Sequence, residues 1–219
     1  MTARKIITWP NEKLLKKAER IELFDAQTNQ LAQDLYDTML VSFGVGLAAT
    51  QVDEQWSMCV IEKSCFSSVS HDPILKDCVV LVNPEIEFIG KERFTWTEAC
   101  LSVPGISAEV MRHNMINLRY QDLTGEFREY CLSGTESATV QHESDHLVGK
   151  LFIDRLVDKR AKRSVIARLR EMLNPLKPKI KKEVEEVEDQ EDEKSMHYKK
   201  KVRIKRPKTF GKAKKRKKK

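Results

Sequence analysis

The sequence has no apolar run approaching the roughly 20 residues that a membrane-spanning helix needs, so no membrane partner is expected. Its first residues, Met1-Thr2-Ala3-Arg4-Lys5-Ile6-Ile7, lack the apolar core of a secretory signal and are too few for a clear transit peptide. Cysteine is sparse: Cys59, Cys65, Cys78, Cys100 and Cys131 are odd in number and irregular in spacing. That pattern does not fit a disulfide framework. It leads us to expect reduced thiols, a cytoplasmic location and one or more thiols available to a metal. Acidic residues are absent from 199–219, which holds fourteen basic ones, and aromatics near it are limited to Tyr198 and Phe210.

The net charge of +7 over 219 residues conceals two regions of opposite sign. Residues 176–219 carry 19 Lys/Arg and 8 Asp/Glu, whereas 1–175 carry 21 and 25. The first 175 residues are thus expected to form a mildly acidic domain, and affinity for polyanions belongs to the tail. Within the tail, 183–193 is acidic and 199–219 basic, and its apolar patterning fades beyond Pro175. Such composition is expected to be disordered in isolation.

Periodicity predicts helices together with antiparallel strands. Residues 11–18 read as a short helical turn. A helix over 26–42 follows, capped by Asp25, with Leu31, Leu35 and Met39 every four residues. Strand-like runs fall at 58–61, 78–82, 86–89, 116–120 and 127–131, several alternating as half-buried antiparallel strands do. Asp122-Leu123-Thr124-Gly125 is a turn that makes 116–131 a hairpin. Ser133 and Glu136 fit a capping box for a helix ending near Val148, with Gly149 at its exit. A last helix is expected over 156–173.

The helix after Ser133 carries a polar stripe, Thr135, Ala138, Thr139, His142, Asp145 and His146, where a core-facing helix would be apolar. Breaks of this kind mark functional sites. His142-Glu143-Ser144-Asp145-His146 sets two imidazoles one helical turn apart on one face, able to reach one metal ion. Glu143 stands on the shoulder of that face, where a general base can act on water. Alone, the motif also fits a solvated helix face with two histidines, and two imidazoles leave a catalytic metal site incomplete. Cys100, in Glu98-Ala99-Cys100-Leu101-Ser102, is a candidate third ligand or a buried structural cysteine. The octet Gly44-Val45-Gly46-Leu47-Ala48-Ala49-Thr50-Gln51 suggests backbone that turns sharply or approaches a ligand closely.

Together, in this order and at these intervals, the three stretches resemble those of peptide deformylases, and the resemblance covers residues 1–173. It implies an α+β fold with antiparallel strands around a central metal-ligand helix. It implies a hydrolase that removes the N-formyl group from formylmethionine at the start of nascent polypeptides, releasing formate. Cys100, His142 and His146 would hold a divalent metal, typically Fe²⁺, with Zn²⁺, Ni²⁺ or Co²⁺ able to replace it. Glu143 would move the proton, and the Gln51 amide and Leu101 N–H would stabilise the oxyanion. Gly46 and Val45 would contact the substrate. Glu98 and Asp145 would orient the imidazoles, with Arg112 neutralising them.

Two positions depart from the family pattern. Ala99 stands where glycine is usual beside the cysteine, which would strain the loop if the backbone there needs positive φ. Ser144 replaces an apolar residue inside the helix motif, a change expected to affect packing. The alternatives are a zinc metallopeptidase with the same helix motif, and a catalytically vestigial ribosome- or RNA-binding protein. Cys100 in its own motif disfavours the first, and the intact Gln51, Cys100, His142, Glu143 and His146 set disfavours the second. The basic tail is expected to offer ribosomal RNA a salt-sensitive contact.

Overall fold

In the computed structural model, which describes residues 3–66, 68, 69, 75 and 77–173, the first helix begins where its cap predicts. The Asp25 carboxylate accepts hydrogen bonds from the Gln27 and Thr28 N–H groups at 2.9 and 3.1 Å, and α1 runs Ala26–Val41. Leu31, Leu35 and Met39 are buried along it as their spacing requires. The helix ends in a paired cap: Phe43 N–H donates to the Leu40 carbonyl and Gly44 N–H to that of Met39. Phe43 takes the left-handed conformation, φ 55°, that such a cap demands and that glycine usually supplies.

The strands β1 (Gly46–Ala48), β2 (Met58–Glu62), β3 (Cys78–Cys100), β4 (Val103–Gln121) and β5 (Phe127–Ser133) form one antiparallel sheet in chain order. Along β2, Met58 and Val60 join the core cluster of α1, while Cys59 and Ile61 join that of the second helix, α2 (Gly134–Leu147). Val80 and Val82 divide from Val79 and Leu81 in the same way. The alternation expected of half-buried strands here separates two buried faces, because a helix covers each. Each fully buried Leu, Ile or Val side chain contributes about 1.5–3 kcal/mol.

The runs at 78–82 and 86–89 are parts of one strand. Register shifts against β4 at Val82/Glu85 and Ile89/Arg93 break its apolar pattern. At the first of these Asn83 has φ 52°, and its side-chain amide closes two hydrogen bonds with the backbone of Ile21. Beyond the second, β3 and β4 continue as a ribbon that ends in the tight turn Cys100-Leu101-Ser102-Val103, with Cys100 paired to Val103. That ribbon carries Cys100 to α2.

Ser133 occupies the cap position of α2 but makes no capping hydrogen bond, and Glu136 instead accepts the Ser68 N–H at 2.9 Å. The predicted capping box is therefore absent. Gly149 ends the helix at φ 71°, pressed so close to Leu15 that a Cβ would lie 2.6 Å from that carbonyl carbon. The last helix, α3, spans Lys159–Leu173, later than the periodicity suggests, because Leu156, after the separate 3-10 turn Phe152–Arg155, has an extended backbone. Phe152 and Ile153 of that turn pack with Cys100, Val103 and Leu169. The chain divides into two units, Met1–Leu169 and Arg170–Lys219, and only residues 170–173 of the second are described. The acidic and basic segments at 183–193 and 199–219 lie outside the described residues.

Candidate active site

The turn at the end of the β3–β4 ribbon and the middle of α2 meet over a cavity of about 780 Å³. Ligand-type atoms of Cys100, His142 and His146 lie within 4.8 Å of one another, and Cys100 and His142 line the cavity. The Cys100 sulfur is 3.3 Å from His146 Nε2. The two imidazoles stand edge-on to each other, with ring centroids 5.0 Å apart, as residues one helical turn apart can. A thiol and two imidazoles at these distances fit a first-row divalent ion and leave room for a further ligand.

A buried carboxylate fixes one ring. Glu98 Oε2 is 2.7 Å from His142 Nδ1, which turns Nε2 of that ring toward the cysteine side. Arg112 holds Glu98 in turn, donating from Nε and Nη2 at 2.6 and 2.8 Å, and donates from Nη1 to Asp145 at 2.6 Å. Burial alone would raise the Glu98 carboxyl; the hydrogen bonds from Arg112 and His142 outweigh it and hold the group below the ordinary carboxylate range. Asp145 touches neither imidazole. Its oxygens pair with Arg112 and with Arg155, a partner from the 3-10 turn that no sequence signal announces. Asp145 is thus linked to His142 only through Arg112 and Glu98.

Glu143 is buried on the opposite shoulder of α2. Its Oε2 has no hydrogen-bond partner among the described residues, and neither does Nδ1 of His146. Burial pushes the Glu143 carboxyl up to about 7, with the neighbouring His142 opposing the rise. Burial likewise holds His146 well below the ordinary imidazole range, keeping it in the neutral form that ligates metals. The Glu143 carboxylate lies directly over Gly46, the second glycine of the octet and the first residue of β1.

The Gln51 amide is oriented from behind. Its oxygen accepts the Ala48 N–H at 2.8 Å, which aims its NH₂ at Ser102 Oγ (3.1 Å) and the Cys100 sulfur (3.5 Å). Leu101, Val45 and Gly46 also line the cavity. So do Thr135, Ala138 and Thr139 of the polar stripe, whereas Asp145 faces a separate cavity across α2. Cys65 and Trp96 are lining residues that the sequence reading missed, and both come from segments with no motif. Ser102, inside the cysteine motif, was missed as the acceptor for the Gln51 amide.

The two departures have definite outcomes. Ala99 sits in β3 and is not among the residues with positive φ, so alanine is accommodated without backbone strain. Ser144 lies beside the cavity across α2, and its hydroxyl is buried without a hydrogen-bond partner among the described residues.

A profile of the polypeptide deformylase family matches residues 3–163. The chain belongs to the peptide deformylase family. It is 42% identical over 153 residues to the Campylobacter jejuni peptide deformylase, an alignment covering 70% of this chain and 86% of that one. A crystal structure of a Legionella pneumophila peptide deformylase superposes with a TM-score of 0.68 at 34% identity, over 80% of this chain and 99% of that one. The Ehrlichia chaffeensis peptide deformylase in complex with actinonin gives 0.69 at 28% identity, over 78% and 98%. As a deformylase the chain is a hydrolase of protein biosynthesis, and it removes the N-formyl group from formylmethionine at the start of nascent polypeptides. Among the described residues no helix is long and apolar enough to cross a membrane.

Proposed function

We propose that Cys100, His142 and His146 hold one divalent ion, ferrous iron in the cell, and that Glu143 carries the proton in formyl removal. The observation that supports this reading is that Glu143, whose Oε2 has no hydrogen-bond partner among the described residues, lines the same cavity as Cys100 and His142, two of the three converging ligand residues. When bound, the ion supplies Lewis acidity, lowering the pKa of water and polarising the formyl oxygen. Glu143 accepts the proton of the attacking water and delivers it to the leaving amine nitrogen. The Gln51 NH₂, fixed by the Ala48 N–H, and the Leu101 N–H donate to the oxyanion that develops on the formyl group. Gly46 and Val45 border the substrate, and Glu98 keeps the His142 ring from rotating.

The test is formate release from formyl-Met-Ala-Ser by protein purified anaerobically and loaded with iron, beside a Glu143→Ala control. Release well above the control supports the reading, and equal release refutes it. Metal analysis of the anaerobic preparation identifies the ion.

Cytoplasmic action on the ribosome completes the proposal. The fourteen cations of 199–219 offer ribosomal RNA a contact that does not depend on sequence. Pelleting with ribosomes should fall as salt rises and on removal of 176–219. Equal pelleting of the full and shortened chains would refute tethering by the tail.

A further inference from the structure

We infer that Phe43 is a specificity residue: its ring holds an apolar side chain of the substrate peptide, one or two residues after the formylmethionine. The inference rests on the deformylase reading of the cavity and adds to it which peptides the enzyme prefers.

Phe43 is anomalous in two independent ways. Its side chain is 96% exposed, more than any other large apolar residue among those described. Its backbone is held at φ 55°, at the position after the α1 cap where glycine is the usual residue. Both the Phe43 and the Gly44 N–H are committed to closing the helix, on Leu40 and Met39, so the conformation is imposed by the cap. A phenylalanine there stabilises neither the helix end nor the core. A residue that breaks a local rule without a structural return is a candidate for function.

The location says what the function is. Phe43 lines the catalytic cavity together with Val45 and Trp96, which are also exposed apolar side chains. Behind it the backbone is pressed against the residue next to Cys100: a Cβ on Gly44 would meet Leu101 Cδ1 at 2.9 Å. The segment 43–46 therefore runs from the exposed Phe43 to Gly46 beneath Glu143. A formylated methionine inside the cavity leaves the rest of its peptide to cross the rim. There the exposed faces of Phe43, Val45 and Trp96 bury apolar side chains and gain little from charged or small polar ones.

Glycine suits the φ of position 43 better than phenylalanine, so Phe43→Gly keeps the fold and removes only the ring. The experiment measures kcat and KM of the iron-loaded full chain on two peptide series, formyl-Met-X-Ser and formyl-Met-Ser-X, with X leucine, phenylalanine, serine or aspartate. Wild-type enzyme should favour apolar over serine X by about fivefold in kcat/KM at one of the two positions. In Phe43→Gly that ratio should fall to near one, through KM of the apolar peptides, while the melting temperature stays equal or rises. A wild type that shows no preference among X, or a variant that keeps the wild-type ratio, overturns the inference and leaves the deformylase reading intact. Concentration-dependent self-association lost in the variant, with the ratio kept, overturns it in favour of a second copy as occupant. Absence of formate release from every peptide overturns both readings.

Discussion

Glu143 lies against the α-carbon of Gly46 with no room for a side chain between them: a Cβ on Gly46 would fall 2.8 Å from Glu143 Cδ. The glycine is therefore what lets the carboxylate sit where it does. Gly46→Ala should displace the Glu143 side chain and lower kcat by roughly a hundredfold, the cost of about 1 Å of misplacement of the group proposed to carry the proton. Metal content should be retained, since Gly46 offers no ligand atom. Steady-state kinetics beside metal analysis check this, and unchanged kcat would refute the steric argument.

The Glu143 carboxyl also predicts how metal-free protein responds to pH. Burial raises it to about 7, from an ordinary value of 4.5. A raised carboxyl stabilises the fold fully below its unfolded value, and that stability is lost as pH rises through the folded value. Between pH 5 and pH 8 the loss is on the order of 3 kcal/mol. Melting curves of chelator-treated protein should show a smaller fall over this interval for Glu143→Gln than for wild type. Equal falls would show that another group governs the transition.

Glu98 and Arg112 should separate when mutated, although they touch. Glu98→Gln keeps the volume but weakens the hold on His142 Nδ1, and metal affinity should drop roughly 10- to 100-fold. Arg112→Met leaves Glu98 and Asp145 buried beside an apolar chain. That substitution should destabilise the protein by about 3–5 kcal/mol, tempered by the second partner of Asp145, Arg155. Chelator competition reads the first effect and urea unfolding the second. A fully stable Arg112→Met would mean that Arg155 and solvent suffice to neutralise the pair.

Ser144 should be improvable. Its hydroxyl is buried without a partner among the described residues, a state that costs about 1–3 kcal/mol. Ser144→Ala should raise the melting temperature by roughly 2–4 °C with formate release preserved. A lower melting temperature would show that the hydroxyl has a partner in solution.

Much of the site was legible because its spacing is local. His142, Glu143 and His146 share one helix, and a four-residue interval on a helix is a distance in space. Cys100 and Gln51 were legible through the family's motifs, not through their spacing to the helix. Arg155 was not legible at all: it reaches Asp145 across the irregular exit of α2, where no periodicity applies. The ribbon at 93–100 and 107–113 escaped notice for another reason. Its buried face is occupied largely by Glu98, Cys100 and Arg112, so the apolar alternation that revealed β2 is broken there by polar and ligand-type residues. Ser133 misled in the opposite sense, since a capping pattern in sequence says nothing of what competes for Glu136, and the Ser68 N–H does.

The Arg112 guanidinium answers to two carboxylates on two different elements, Glu98 in β3 and Asp145 in α2. None of the three can drift alone, because each single exchange strands a buried charge. Variation among descendants of this sequence should therefore treat positions 98, 112 and 145 as one inherited character, kept or replaced together. The exposed rim at Phe43 has no such partners and is free to diverge with the peptides each lineage must process.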